Sequence, residues 1–148
     1  MLAVYRAMRD AVGPAFPIGI KLNSADFQRG GFTEDESLDT IRALAEAGID
    51  LIEVSGGTYE APAMTGVKAK AEPVKDSTRQ REAYFLAFAE KARQAVRVPL
   101  VVTGGFRSLE GMAEAVSSGA VDFVGLARAL AIEPDLPRRL LAGQQPTQ

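Results

Sequence analysis

The stretches Val98-Pro99-Leu100-Val101-Val102-Thr103-Gly104-Gly105-Phe106-Arg107-Ser108 and Val121-Asp122-Phe123-Val124-Gly125-Leu126-Ala127-Arg128 decide the fold. Each holds a short apolar run of the kind that forms a buried parallel strand, and each run ends in small residues. A helix pattern follows the first directly and the second after a short loop. Two such neighbouring strand ends bring backbone N–H groups and an arginine to one place, where a phosphate can sit. This is the arrangement found after the last two strands of a (β/α)₈ barrel.

Working outward, the same unit recurs. Leu2, Tyr5, Met8 and Val12 fall at helical spacing, and Gly13-Pro14 ends that helix. Phe16 to Leu22 reads as a strand, with Ile18, Ile20 and Leu22 on one face and Gly19, Lys21 and Asn23 on the other. Thr33-Glu34-Asp35-Glu36 matches a capping box and opens a second helix, which Gly48 ends. Ile49 to Val54 is the second strand. Ser55 to Lys75 has no clear periodicity and reads as a long loop on the strand's C-terminal side, of a length that is usually a functional lid or disordered. A helix beginning near Ser77 or Thr78 carries Phe85, Phe88, Ala92, Ala95 and Val96 on one face. Pro99 to Thr103 is the third strand, and Ser108 caps a short helix that Gly119 ends. Val121 to Leu126 is the fourth strand, and Pro134 opens a last helix ended by Gly143.

The order is α-βα-βα-βα-βα in one domain, 1–148: a helix over 1–13, four βα units over 14–143 and a frayed tail over 144–148. Ala47-Gly48-Ile49-Asp50 and Ser118-Gly119-Ala120-Val121-Asp122 are alike and mark a weak internal repeat. Four strands do not close a barrel of eight. The pattern is therefore a half-barrel or an open four-stranded parallel sheet.

Composition narrows the function. A chain of 148 residues with 47% hydrophobic and 24% charged residues is an ordinary globular one. A net charge of −2 argues against a nucleic-acid partner, which needs a basic footprint. No apolar run spans a membrane, and the N-terminus lacks a signal-peptide core, so the default location is the cytoplasm. Without cysteine there is no disulfide, thiol nucleophile or thiolate metal site; no metal is expected. Without histidine the commonest general base is missing as well, so a cofactor would have to carry the chemistry, or acid–base groups from elsewhere.

Several residues are candidates for a ligand site. The strand alternation puts Lys21 on the interior face, near Glu53 at similar depth on the next strand, where the two can form a buried pair. Its alternatives are a structural charge or a cation held against an anionic ligand edge. Gly104 and Gly105 allow close backbone approach before a helix N-terminus at Ser108. Arg128, a loop arginine after the small Ala127, can clamp a phosphate beside them. Arg107 is a weaker candidate for the same role, and Tyr59 either covers a ligand or packs on its loop. Asp50 and Asp122 precede strands at the opposite, stability end and read as structural.

These motifs resemble the old yellow enzyme family of NADH:flavin oxidoreductases. Phe16-Pro17-Ile18-Gly19-Ile20-Lys21-Leu22-Asn23-Ser24-Ala25-Asp26-Phe27 is similar to the family's fifth strand. Glu53-Val54-Ser55-Gly56-Gly57-Thr58-Tyr59-Glu60 is similar to the sixth. Val102 to Phe106, then Gly125 to Leu130 with Glu133-Pro134-Asp135-Leu136-Pro137, are similar to the seventh and eighth. The resemblance implies an α/β fold, the C-terminal half of a TIM (β/α)₈ barrel. It implies FMN as cofactor and NAD(P)H as reductant, with hydride passed to a small-molecule acceptor such as an activated alkene. By the same resemblance Lys21 contacts the flavin near N1, and Gly104, Gly105, Ala127 and Arg128 hold the FMN phosphate. Lysine keeps the charge of the arginine that many relatives have there but not its fork. The family's substrate-orienting histidines and proton-donor tyrosine belong to the earlier half of the barrel, and this sequence has no histidine. The expectation is a partial chain without a substrate site, with no catalytic residue assigned.

Two further readings stand beside it. One is a non-catalytic phosphate- or flavin-binding half-barrel whose exposed edges pair with a second copy or with a missing N-terminal half. The other is half of an isomerase or aldolase barrel with Lys21 as a catalytic amine.

Overall fold

The computed structural model describes residues 1–26, 29–55, 86–106 and 108–146. Helix α1 spans Leu2–Val12, strand β1 Gly19–Asn23, helix α2 Glu34–Glu46 and strand β2 Leu51–Ser55. Residues 86–95 are helical (α3). Strand β3 spans Leu100–Thr103, helix α4 Leu109–Ser117, strand β4 Phe123–Gly125, helix α5 Arg128–Ile132 and helix α6 Leu136–Leu141. The four strands form one parallel sheet in the order β1-β2-β3-β4.

Local chemistry sets the helix ends. The Thr33 hydroxyl accepts from the Glu36 N–H while the Glu36 carboxylate accepts from the Thr33 N–H at 2.8 Å, a complete capping box. Ser108 accepts from the Gly111 N–H at 3.1 Å and opens α4. One face of the sheet is the core. Ile52, Val54, Leu100 and Val102 are fully buried there against Ile41 and Leu44 of α2 and Phe88 and Ala92 of α3.

Each strand starts one to three residues later than its apolar run predicts. The cause is the same at β1 and β2. Asp50 turns its side chain to accept from the Ile18 N–H at 2.7 Å, while its own N–H donates to Ile18 O at 3.1 Å. Arg9 of α1 pairs with Asp50 and donates to Phe16 O at 2.5 Å. The device repeats at β3 and β4. The Leu100 N–H donates to Asp122 at 2.8 Å, the Asp122 N–H to Leu100 O at 2.9 Å, and Arg93 of α3 pairs with Asp122 and reaches Val98 O at 3.2 Å. Ile18, Asp50 and Asp122 are thus consumed by these clamps rather than by ladder pairing, and Pro99 has no N–H to offer. The structural roles expected of Asp50 and Asp122 hold.

Three other expectations are corrected. Arg128 lies not in a loop but at the start of α5, with Ala127 as N-cap, because Ala129-Leu130-Ala131-Ile132 favours helix. The last helix opens at Leu136, not Pro134, and Pro137 sits in its first turn. The tail is tied down as far as residue 146: Arg139 holds Gln144 Oε1 and Gln145 O, each at 3.2 Å, and Gln145 Oε1 accepts from the Leu109 N–H at 3.2 Å. The expected long loop beyond Ser55, Tyr59, Arg107 and the start of α3 lie outside the described residues.

Two outcomes are expected. The Ile18 N–H and Arg9 hold the Asp50 carboxyl below its ordinary value of 3.8. A depressed folded-state value means stability that is present above 3.8 and lost as pH falls through the folded value. Asp50→Asn should therefore lower the melting midpoint at neutral pH, and its difference from the parent should shrink on acidification below that range. Thermal melts of both chains across pH 2–7 check this, and a gap that persists in acid contradicts it. At β4, a Cβ on Gly125 would lie 1.8 Å from Thr103 Oγ1. Gly125→Ala should cost about 1–3 kcal/mol in urea unfolding by overpacking, and adding Thr103→Ala, which removes the hydroxyl but keeps the Cβ 2.8 Å away, should recover only part of it.

Candidate functional site

Strand parity places the site. Register pairs Lys21 with Glu53, Glu53 with Val101 and Val101 with Phe123; two residues on, Thr103 pairs with Gly125. These residues share the sheet face opposite the core. At the C-terminal ends of the strands this face opens into a cavity of about 460 Å³. Lys21, Gly104, Gly105, Ala127 and Arg128 all line it, so the five residues singled out in sequence meet around one space.

Two features make that space suitable for a phosphate. Gly104 and Gly105 have φ of 115° and 88° in succession, a backbone that only glycine adopts readily, and neither carries a side chain of its own to stand in front of it. Arg128 stands on the neighbouring strand's exit, exposed, with Ala127 before it too small to cover the cavity. The planar guanidinium suits a phosphate better than an ammonium does.

Lys21 Nζ lies 2.8 Å from Glu53 Oε1. The pair is not buried as expected: the Lys21 side chain is 56% and the Glu53 side chain 30% exposed. Glu53 has a second partner, the Thr103 hydroxyl. Partial burial works against its charge, but the hydrogen bonds from Lys21 and Thr103 together outweigh that and hold the carboxyl below the usual glutamate range.

The structure adds residues that the sequence did not mark. Ser55 and Thr103 line the cavity at the ends of β2 and β3. Ser55 ties the loop leaving β1: its carbonyl accepts from the Ser24 N–H at 2.5 Å, and its hydroxyl is 3.4 Å from Asn23 Oδ1. Asn23 Nδ2 in turn donates to Asp26 at 3.0 Å, and that bond, with the Phe32 N–H, holds the Asp26 carboxyl below its usual range. Glu133, buried between α5 and α6, pairs with Arg139 and lines the opposite wall. Arg139 also holds the segment that brings Pro146 to the cavity. The signal that finds Thr103 is register, since it stands beside Gly125. Glu133 and Pro146 are three and ten residues from α6's first residue and are joined only by the fold.

No group of three or more candidate metal ligands occurs among the described residues, and no described helix is long and apolar enough to cross a membrane.

Comparison with known proteins agrees with this geometry. The chain is 37% identical over 151 residues to an NADH-dependent flavin oxidoreductase of Neonectria sp. (strain DH2), covering 100% of this chain and 20% of that protein. It is 28% identical to an NADH oxidase of Thermoanaerobacter brockii, covering 97% of this chain and 21% of the other. The chain thus spans about a fifth of the length of these curated relatives. Among solved structures, a 2-naphthoyl-CoA reductase complex superposes with a TM-score of 0.79 at 23% identity, over 97% of this chain and 20% of that one. An old yellow enzyme homologue from Zymomonas mobilis gives 0.58 at 17% identity, over 88% and 32%. The four-stranded sheet is accordingly part of a (β/α)₈ barrel. The family model described as the NADH:flavin oxidoreductase / NADH oxidase family matches residues 1–146, and the chain belongs to that family.

Proposed function

We propose that this chain forms the phosphate-holding half of an FMN site in an NADH-dependent flavin oxidoreductase. The observation that carries the reading is the meeting of Lys21, Gly104, Gly105, Ala127 and Arg128 around one cavity at the C-terminal ends of the strands. Membership of a flavin oxidoreductase family supports a flavin as the ligand. It favours this reading over Lys21 as a catalytic amine.

When bound, FMN supplies the hydride chemistry, taking hydride from NAD(P)H and passing it to a small-molecule acceptor such as an activated alkene. The chain's own residues bind and orient. Gly104 and Gly105 let the backbone approach the phosphate, and Arg128 neutralises it. Lys21 offers a cation to the electron-rich edge of the ring. Tyr59 is assigned to the substrate side, and the setting is cytoplasmic. The substrate-orienting groups are placed in a first half of the barrel, so the chain by itself binds flavin without completing the reaction.

Fluorescence titration of the chain with FMN tests this. Arg128→Ala should weaken binding about tenfold or more, the worth of one charge-assisted phosphate contact. A folded chain that binds no FMN, or binds it equally well without Arg128, refutes the proposal.

A second reading, self-association, has its own observation. Beside the β1 edge, Val4, Met8 and Val12 form an exposed stripe on α1, and at the β4 edge Phe123 is 55% exposed. Among the described residues neither β1 nor β4 has a strand on its outer edge, which invites strand pairing with another half. Sedimentation velocity should show a concentration-dependent dimer that Val4→Lys/Met8→Lys weakens. A monomer at all concentrations removes this reading.

A further inference from the structure

Among the described residues Lys21 is the only lysine on the cavity wall, yet it does not face the cavity as a bare charge. Its ammonium is 2.8 Å from Glu53, directly across in register on β2. Glu53 is absent from the cavity lining but touches two residues that form it, Lys21 and Thr103. Thr103 takes its place because Gly125, its register partner on β4, has no side chain. A methyl group there would overlap the Thr103 hydroxyl oxygen at 1.8 Å. One residue from each strand, Lys21, Glu53, Thr103 and Gly125, thus makes a stepped row across the sheet, in which Thr103 and Gly125 stand two residues on from Val101 and Phe123, the residues level with Lys21 and Glu53.

From this row we infer that Glu53 is a positioning residue. Anchored by the Thr103 hydroxyl, it fixes the Lys21 ammonium on the cavity wall and offsets most of its charge.

A free lysine side chain has rotamer entropy to lose before it can hold a ligand edge. The Glu53 carboxylate pre-orders it. The same contact sets how strongly the wall favours an anion. With Glu53 present, the ligand meets an ion pair; with a neutral isostere, it meets an uncompensated cation at the same point. For a flavin, whose reduced ring carries negative charge near the edge assigned to Lys21, Glu53 would therefore restrain the preference for the reduced form. That last step rests on the flavin proposal; the Lys21–Glu53–Thr103 anchoring does not.

Two measurements on the full chain keep the two apart. In the first, without ligand, the Glu53 side-chain carboxyl is titrated by carbon-13 NMR. Because Lys21 and Thr103 both favour its charged form, Lys21→Met and Thr103→Val should each raise its midpoint. A midpoint unmoved in either folded variant overturns the anchoring. In the second, the ratio of dissociation constants for oxidised and reduced FMN is read from anaerobic titration of bound against free flavin. Glu53→Gln should shift that ratio towards reduced FMN about tenfold, Lys21→Met should shift it the other way, and the double variant, with neither charge, should return close to the parent. A Glu53→Gln ratio equal to the parent's, in a chain that binds FMN, overturns the charge-offsetting role. If no FMN binds, the flavin reading fails and the carboxyl titration alone decides the anchoring.

Discussion

An aspartate turned back onto the preceding strand is the constraint from which the rest of the sheet follows. A parallel strand enters the sheet with backbone groups that have no ladder partner, and an unpaired N–H is expensive once covered. Asp50 and Asp122 each take one such N–H on the side chain and return one of their own to the same residue's carbonyl. Arg9 and Arg93 then bind the aspartate and a carbonyl two residues before the clamped residue, Phe16 before Ile18 and Val98 before Leu100. Helix, loop and both strands are fixed by one small group of atoms. Because side chains alternate with a period of two, a slip of one residue would exchange the two faces. Ile52 and Val54 would leave the core, and Lys21 and Glu53 would enter it. The clamps therefore help decide which residues reach the cavity, although they lie at the other end of the sheet.

The two clamps are copies of one device with different bracing. At the first, Tyr5 stands four residues before Arg9, hydrogen-bonds to Gly48 O at 2.6 Å and packs its ring 5.7 Å from the guanidinium. At the second, Ala89 holds the equivalent place before Arg93 and offers neither contact. The first clamp is thus tied to the end of α2 as well as to the strands. The middle pair, β2 and β3, is joined at its entry by a backbone bond from the Ile52 N–H to Pro99 O at 3.0 Å. The half-barrel is built as two strand pairs, each pinned by an ion pair, packed side by side on a shared apolar face.

Much of this was legible in the sequence where the chemistry is local. The capping box at Thr33, the cap at Ser108 and the glycine stops at Gly13, Gly48 and Gly119 depend on a few adjacent residues and occur as expected. So did the parity of Lys21 and Glu53, which needs only a correct strand count. The strand starts were misplaced because hydrophobicity does not distinguish a residue in a ladder from one in a clamp. Ile18 is apolar and buried yet bonds to Asp50, and Arg9, 41 residues from Asp50, carries no sign of its partner. The same limit hid the hold of Arg139 on Glu133 and on the tail. Lys21 was expected to be buried with Glu53 because a complete barrel closes over that face; in this half it stands open.

The division of labour within the sheet lets these four strands support the proposed site by themselves. The proposed phosphate contacts are backbone conformation at Gly104 and Gly105 and one arginine, all set by β3, β4 and the turns that leave them. What holds Lys21 is its register partner on β2 and a hydroxyl from β3. Each element of the site is supported by a neighbouring strand within the same four. Enclosure is different. Leu51 and Val101 are only half-buried on the inner face and Phe123 is exposed, so nothing within the described residues excludes water from that side. Electrostatic contacts in an open site are screened and weak compared with those in a closed one. Holding a ligand's phosphate tolerates that screening, because a doubly charged group can be met by a fork and by backbone donors at contact distance. Holding hydride chemistry does not, and it is the inner face, rather than the phosphate end, that asks for another half.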